Sequence, residues 1–383
     1  MHQASSMKHL RSIYVGLGTV VLMGLISCSG GGDSTTSSPA TITYTTINSS
    51  TSSANITSLT GIRGVSNSSN VYITGAAVTS SGIYSNQLYV GPITGGGTYY
   101  TLNVPGSNSS TNSYSADNWL DTQVKVVGSS VIDGVTKGFL YQGPVTNNNG
   151  VGTVGTAPWY DISFSKNGTV YNSIPHSVMN NIVVGGYQKA LISAYICDIT
   201  TAAAPVCDDM SAAFASLPFV PASTSAYGVW WNGGTSYTIV GGYSSVISSE
   251  SSGPGKVGVT GYIVDYDSSS KTWTHFTKLN WMNGTTGALG THFEGITIDL
   301  TKGGYNLAGE GIMPNGTIPV GLAHVTRTAS GGFTTSPTWV AVSYPNATTT
   351  TADTVYQNNI LGVYKPGVQP LNGYVANIPT SLY

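Results

Sequence analysis

A short apolar stretch that closes on glycine occurs six times in the chain: Tyr72-Ile73-Thr74-Gly75, Val126-Val127-Gly128, Val183-Val184-Gly185, Ile239-Val240-Gly241, Asn306-Leu307-Ala308-Gly309 and Ile360-Leu361-Gly362. Successive first glycines lie 53, 57, 56, 68 and 53 residues apart. After each comes a second apolar stretch carrying an aromatic residue or a histidine: Leu88-Tyr89-Val90, Phe139-Leu140-Tyr141, Ala194-Tyr195-Ile196, Gly261-Tyr262-Ile263, Leu322-Ala323-His324 and Gly373-Tyr374-Val375. Four units add a further aromatic strand, at Tyr99, Trp159, Trp273 and Trp339, and in the third unit the Pro-rich stretch Ala213 to Val220 stands in that place. A repeat of this length is one supersecondary unit that buries its faces only against copies of itself. The elements are short, β-rich and separated by Gly, Ser and Asn, with no segment of helical period. Four short strands per unit make a blade, so the fold class is all-β, a six-bladed β-propeller.

The two ends of the repeat region complement each other. Unit six stops at Ile378 after three strands, while Thr41 to Ile47 alternates with period two and precedes unit one. A ring in which this N-terminal strand completes the last blade leaves no open edge between first and last blades. A row of sandwiches or a solenoid predicts neither the missing strand nor the spare one.

Only 7% of the chain is charged, against about 25% in ordinary globular proteins. Its 40% hydrophobic content, with 24 Tyr and 7 Trp, still supplies a large core. A formal net charge of −2 gives no basic surface for phosphates, which argues against nucleic acid as a partner.

Lys8 and Arg11 precede an apolar run, Ser12 to Ser27, of signal-peptide length. The run ends in Leu25-Ile26-Ser27-Cys28, which resembles the lipobox of bacterial lipoproteins. That resemblance implies a signal peptide over 1–27, lipidation of Cys28, a flexible tether over 28–40 rich in Gly, Ser and Thr, and a propeller over 41–383. Ser29 after the cysteine implies, by the same resemblance, an outer-membrane address. Loss of residues 1–27 leaves 11 basic and 15 acidic residues. Cys197 and Cys207 are then expected to form a disulfide across a short loop.

The phrase Val126-Val127-Gly128 followed by Gly138-Phe139-Leu140-Tyr141, with its relatives, resembles the HAF-type repeats of bacterial extracellular proteins. That likeness implies a secreted repeat fold and brings no activity with it.

Aligning the units at their first strands gives a polar column: Thr60, Asp117, His176, Tyr227, Glu294 and Asp353. First strands are innermost in a propeller, so Asp117, His176, Glu294 and Asp353 are expected to converge near one mouth of the central channel. Carboxylates beside a histidine there can act as acid and base or hold a divalent cation; no cofactor is otherwise expected. Trp231 and Trp281, with Tyr227, are the candidate ligand-contact aromatics. Asp265-Tyr266-Asp267-Ser268-Ser269 reads as a hairpin turn, and Gly253 to Gly258 lacks the helix a phosphate loop needs. The chain contains no Gly-x-Ser-x-Gly, His-Glu-x-x-His or Walker motif, and only Arg63 and Arg327 remain once the leader is gone. The leading expectation is therefore a non-enzymatic, lipid-anchored envelope protein that binds a glycan or a protein. The alternative is an envelope glycan hydrolase or lyase that uses the mouth carboxylates.

Overall fold

The computed structural model describes residues 40–48, 57–78, 84–107, 111–120, 123–149, 154, 157–244, 259–368 and 371–383. The leader, Cys28, the tether up to residue 39 and the Gly253–Gly258 stretch lie outside them. Among the described residues six sheets of four or five strands follow one another along the chain, antiparallel except where Thr98–Asn103 pairs parallel with Asn148–Asn149, and two two-stranded hairpins stand apart from them. Blade one begins with Thr57–Gly64, blade two with Thr111–Trp119, blade three with Asn172–Met179, blade four with Ser223–Gly233, blade five with Gly290–Ile298 and blade six with Thr349–Thr350 and Thr354–Tyr356. Each first strand touches the first strand of the next blade, and that of blade six touches that of blade one. These strands line the axis. The N-terminal strand Thr43–Thr46 pairs antiparallel with Asn372–Asn377, with Thr43 opposite Asn377 and Thr46 opposite Tyr374, so both chain ends belong to blade six.

The six-fold repeat of two adjacent apolar residues has a direct physical cause. A sheet covered on both faces needs apolar residues on both, and consecutive residues of a strand point to opposite faces. Val126 is buried against blade one and Val127 against blade three. Ile239 faces blade three and Val240 blade five, and Ile360 and Leu361 divide in the same way between blades five and one. Each such side chain contributes about 1.5–3 kcal/mol. Six buried clusters serve six sheet-to-sheet interfaces, where an open row of six sheets would have five.

The repeated glycine is explained by a defect in the strand beside it. In blades one to five the first strand carries a β-bulge, between Leu59 and Gly61, Ser113 and Ser115, Pro175 and Ser177, Ala226 and Gly228, and Phe293 and Gly295. In blade six Thr354 pairs with Leu361 while the Asp353 N–H also donates to the Leu361 carbonyl at 2.8 Å, which gives Asp353 the corresponding place. A bulge kinks its strand and re-aims the extra residue. It also pushes a carbonyl of the first strand into the space above the facing glycine. A Cβ on Gly75, Gly185, Gly241 or Gly362 would run into the carbonyl oxygen of Ser58, Ile174, Ser225 or Thr351 respectively. In blades four and six the vacated space admits a tyrosine from the third strand. Tyr262, opposite Gly241, donates its hydroxyl to the Ser225 carbonyl at 2.8 Å, and Tyr374, opposite Gly362, donates to that of Thr351 at 2.5 Å.

Blade three departs from the sequence reading. Its fourth strand is Val206–Asp209, and Ala213 belongs to the 3₁₀ turn Ser211–Phe214. The tight pairing of Val206–Asp209 with Ile192–Asp198 sets Cys197 opposite Cys207, and the two form a disulfide. Closing so short a loop stabilises the fold by about 3 kcal/mol.

Candidate active site at the channel mouth

The six bulge residues are Thr60, Tyr114, His176, Tyr227, Glu294 and Asp353. Thr60, Tyr114, His176, Tyr227 and Glu294 line a small recess on the channel axis, and Arg63, Ser177, Ile296 and Thr354 line it as well. Rings follow one another along its wall. Tyr114 and His176 have centroids 4.9 Å apart, His176 and Tyr227 3.9 Å, and Tyr227 meets His292 edge-on at 4.4 Å.

Asp117 is a correction. The bulge residue of blade two is Tyr114, three residues earlier, because the extra residue shifts the pairing and the sequence alignment had no means of placing it. Asp117 lies farther along the strand, 8% exposed, opposite Lys125, and it accepts the Asn180 N–H at 2.6 Å. Burial raises its pKa, opposed by Arg63. Asp353 holds the expected bulge position but is buried and absent from the recess wall, where Thr354 stands instead. His176 and Glu294 are in the recess together, as is Tyr227.

Lys125 shares the setting of Asp117. It donates to the Asn180 carbonyl and to Asn181 Oδ1, and it lies 4.4 Å from the Trp119 ring centre. Burial lowers its pKa to about 8. A folded pKa below the ordinary 10.5 means that the unfolded chain binds more protons between those values. Stability is therefore expected to rise with pH over that window, by at most ~1.4 kcal/mol per unit. Urea titrations at several pH values should show the rise in the native protein and its loss in Lys125→Met; an unchanged slope in the variant would refute the assignment.

The two tryptophans part company. Trp281 is 2% exposed and packs on Trp339 with ring centres 4.4 Å apart, so it belongs to the core and its place among ligand contacts is withdrawn. Its backbone N–H donates to Thr291 Oγ1 at 2.7 Å, which pins the loop inward. Trp231 is 38% exposed, with its indole N–H on the Gly234 carbonyl. It stands four residues beyond Tyr227 on the same strand, roughly 13 Å away along the channel, and so does not share the recess.

Sequence reasoning missed two residues that complete the site. His292 lies two positions before Glu294, and Glu310 is its cross-strand partner in blade five. His292 Nδ1 is 3.0 Å from Glu294 Oε1, and its Nε2 is 3.0 Å from Ser225 Oγ of blade four. One ligand atom from each of His292, Glu294 and Glu310 falls within 4.8 Å of the others. Only the strand register, which a bulge displaces, reveals that Glu310 belongs here. Two carboxylates and an imidazole so grouped are candidates for proton transfer to and from a bound molecule. One imidazole and two carboxylates also form a donor set that suits a divalent ion such as zinc or manganese.

No protein-family model matches the chain, and no curated protein matches it by sequence. Solved structures similar to it include an α-L-arabinofuranosidase from Lactobacillus brevis, with 10% identity, 71% of this chain and 91% of that chain covered, and a TM-score of 0.42. A GH43_1 enzyme from Xanthomonas citri has 12% identity, coverages of 76% and 94% and a TM-score of 0.41. An α-L-arabinofuranosidase from Podospora anserina in complex with cellotriose has 11% identity, coverages of 87% and 96% and a TM-score of 0.40. At these values the likeness is one of fold. The expectation of a non-enzymatic binder is nonetheless corrected. The mouth holds two carboxylates and an imidazole grouped as acid–base chemistry requires.

Proposed function

We propose that the protein is a glycan hydrolase or lyase of the cell envelope, carried on a lipidated Cys28, with its reaction centre at the channel mouth. The observation that supports this reading is the His292, Glu294 and Glu310 group beside an open recess walled by His176 and Tyr227. Glu294 reaches the recess directly and would face the scissile bond. Glu310 stands behind it as the second carboxylate, and His292 fixes the orientation of Glu294 through the Nδ1 contact. The carboxylate oxygens lie closer together than the spacing of about 6.5–9.5 Å that an inverting hydrolase keeps for its water.

The test is incubation of the lipidated protein with a panel of neutral and acidic polysaccharides, read as new reducing ends and as the ultraviolet absorbance of a newly formed C=C. Cleavage of one class by the wild type, with no change across the rest, is the expected result. Inertness towards the whole panel would overturn the reading. Among the described residues no helix is long and apolar enough to cross a membrane. The membrane link proposed here is the acyl chains on Cys28, several of which hold a protein firmly.

A further inference from the structure

We propose that His292, Glu294 and Glu310 bind one divalent transition ion of the zinc class; this stands on the same side chains as the reading above, but not on their cleaving a glycan. Among the described residues no other three donors of these kinds come together. All three belong to one pair of strands, Gly290–Ile298 and Tyr305–Ile312. His292 and Glu310 face each other across that pair, and the bulge brings Glu294 to the same imidazole. A four-coordinate zinc ion, with bonds of about 2.0–2.2 Å to nitrogen and oxygen, holds its ligand atoms about 3.4 Å apart. Here His292 Nδ1 and Glu294 Oε1 are 3.0 Å apart, and the three donor atoms lie within 4.8 Å of one another. Side-chain rotation is enough to close them on an ion.

Blade four is shaped around the imidazole. A ligand histidine offers one nitrogen without its proton, and the proton on the other is held by a hydrogen bond. His292 Nε2 is 3.0 Å from Ser225 Oγ, and that hydroxyl directs its own proton at the Gly242 carbonyl, 3.2 Å away. The ring therefore donates from Nε2, and Nδ1 is turned towards the Glu294 carboxylate. Two acceptors at 3.0 Å need a cation between them, a second ring proton or a metal ion, and a second carboxylate at the same place is what an ion with several coordination positions uses. Gly242 clears the ring, since a Cβ there would come 2.6 Å from its Cδ2, and Tyr227 meets it edge-on at 4.4 Å. The nitrogen ligand is thus held from the neighbouring blade, as a preorganised site requires. The His292 and Glu294 side chains keep 17% and 15% exposure, which lets an ion enter and retain a water as its fourth ligand. An imidazole among the donors favours zinc over calcium, which takes six to eight oxygen ligands. Ion and proton compete for the same donor atoms, so zinc is expected to inhibit any cleavage in which the two carboxylates exchange protons.

The experiment is calorimetric titration of the full-length protein, freed of metal by a chelator, with zinc and with calcium, repeated for His292→Gln, Glu310→Gln and Ser225→Ala. The wild type is expected to take up one zinc ion that His292→Gln and Glu310→Gln both lose, and to bind calcium at least tenfold more weakly. Ser225→Ala, which leaves all three donors in place, should keep the ion with an affinity lower by about 10–100-fold, and this variant carries the test if the other two do not fold. No zinc uptake by the wild type, calcium bound as tightly as zinc, or uptake unchanged in every variant, an adventitious ion only, overturns the proposal. Zinc held through these residues by a protein that cleaves no glycan would refute the catalytic reading and leave this one standing. Cleavage by a protein that binds no zinc would do the opposite.

Discussion

Glu294→Gln is expected to lower glycan cleavage by about 10²–10⁴-fold, the range that a positioned acid or base contributes, while the melting temperature stays close to that of the wild type. The substitution keeps the volume and one acceptor oxygen for His292, and it removes the ability to give or take a proton. Glu294 is the bulge residue of blade five and stands in the recess wall, so no packing is lost. Glu310→Gln should produce a loss of similar order, because the two carboxylates act as a pair. The double variant should be little worse than either single one, since residues that work as a unit are not additive. Full activity in Glu294→Gln on a substrate the wild type cleaves would remove the mouth as the reaction centre.

Gly241→Ala is expected to destabilise the protein by about 3 kcal/mol or more, seen as a melting temperature lower by roughly 4 °C or more. The added methyl has nowhere to go. It meets the Ser225 carbonyl and the Ala226 Cα, both backbone and both fixed by the bulge that presents Tyr227 to the recess. The Tyr262 hydroxyl uses that same carbonyl, so relief by movement would break its bond as well. Gly309→Ala is the internal control. There a Cβ would meet the buried Phe293 ring at 2.9 Å and the His292 carbonyl at 3.0 Å, a less severe clash from which a smaller loss of stability is expected. Equal destabilisation at the two positions would mean that the bulge is not what requires the glycine.

The sheets were legible in the sequence because burial on two faces writes itself as adjacent apolar residues, repeated once per blade. Val126-Val127 and Ile360-Leu361 are unambiguous in this respect. The site was legible only in part. His176, Tyr227 and Glu294 each precede a small residue at a bulge, a local signal that carries over between blades. Asp117 imitated that signal three residues too late, since the true bulge in blade two presents an aromatic, Tyr114, where a polar residue was sought. Glu310 lies on a neighbouring strand and His292 on the flank of the bulge, and their approach depends on register, which no local pattern records. Trp281 looked like a surface aromatic because its neighbours Asn280 and Asn283 are polar, yet the Thr291 bond and Trp339 turn it into the core.

The bulges also decide how such a mouth can change over evolutionary time. Five of the six blades contribute one bulge side chain to the recess wall, presented by a backbone irregularity, so replacing it leaves the strand pairing intact. Substrate preference can thus be rewritten a single position at a time on an unaltered frame, whereas the glycines opposite are locked in place.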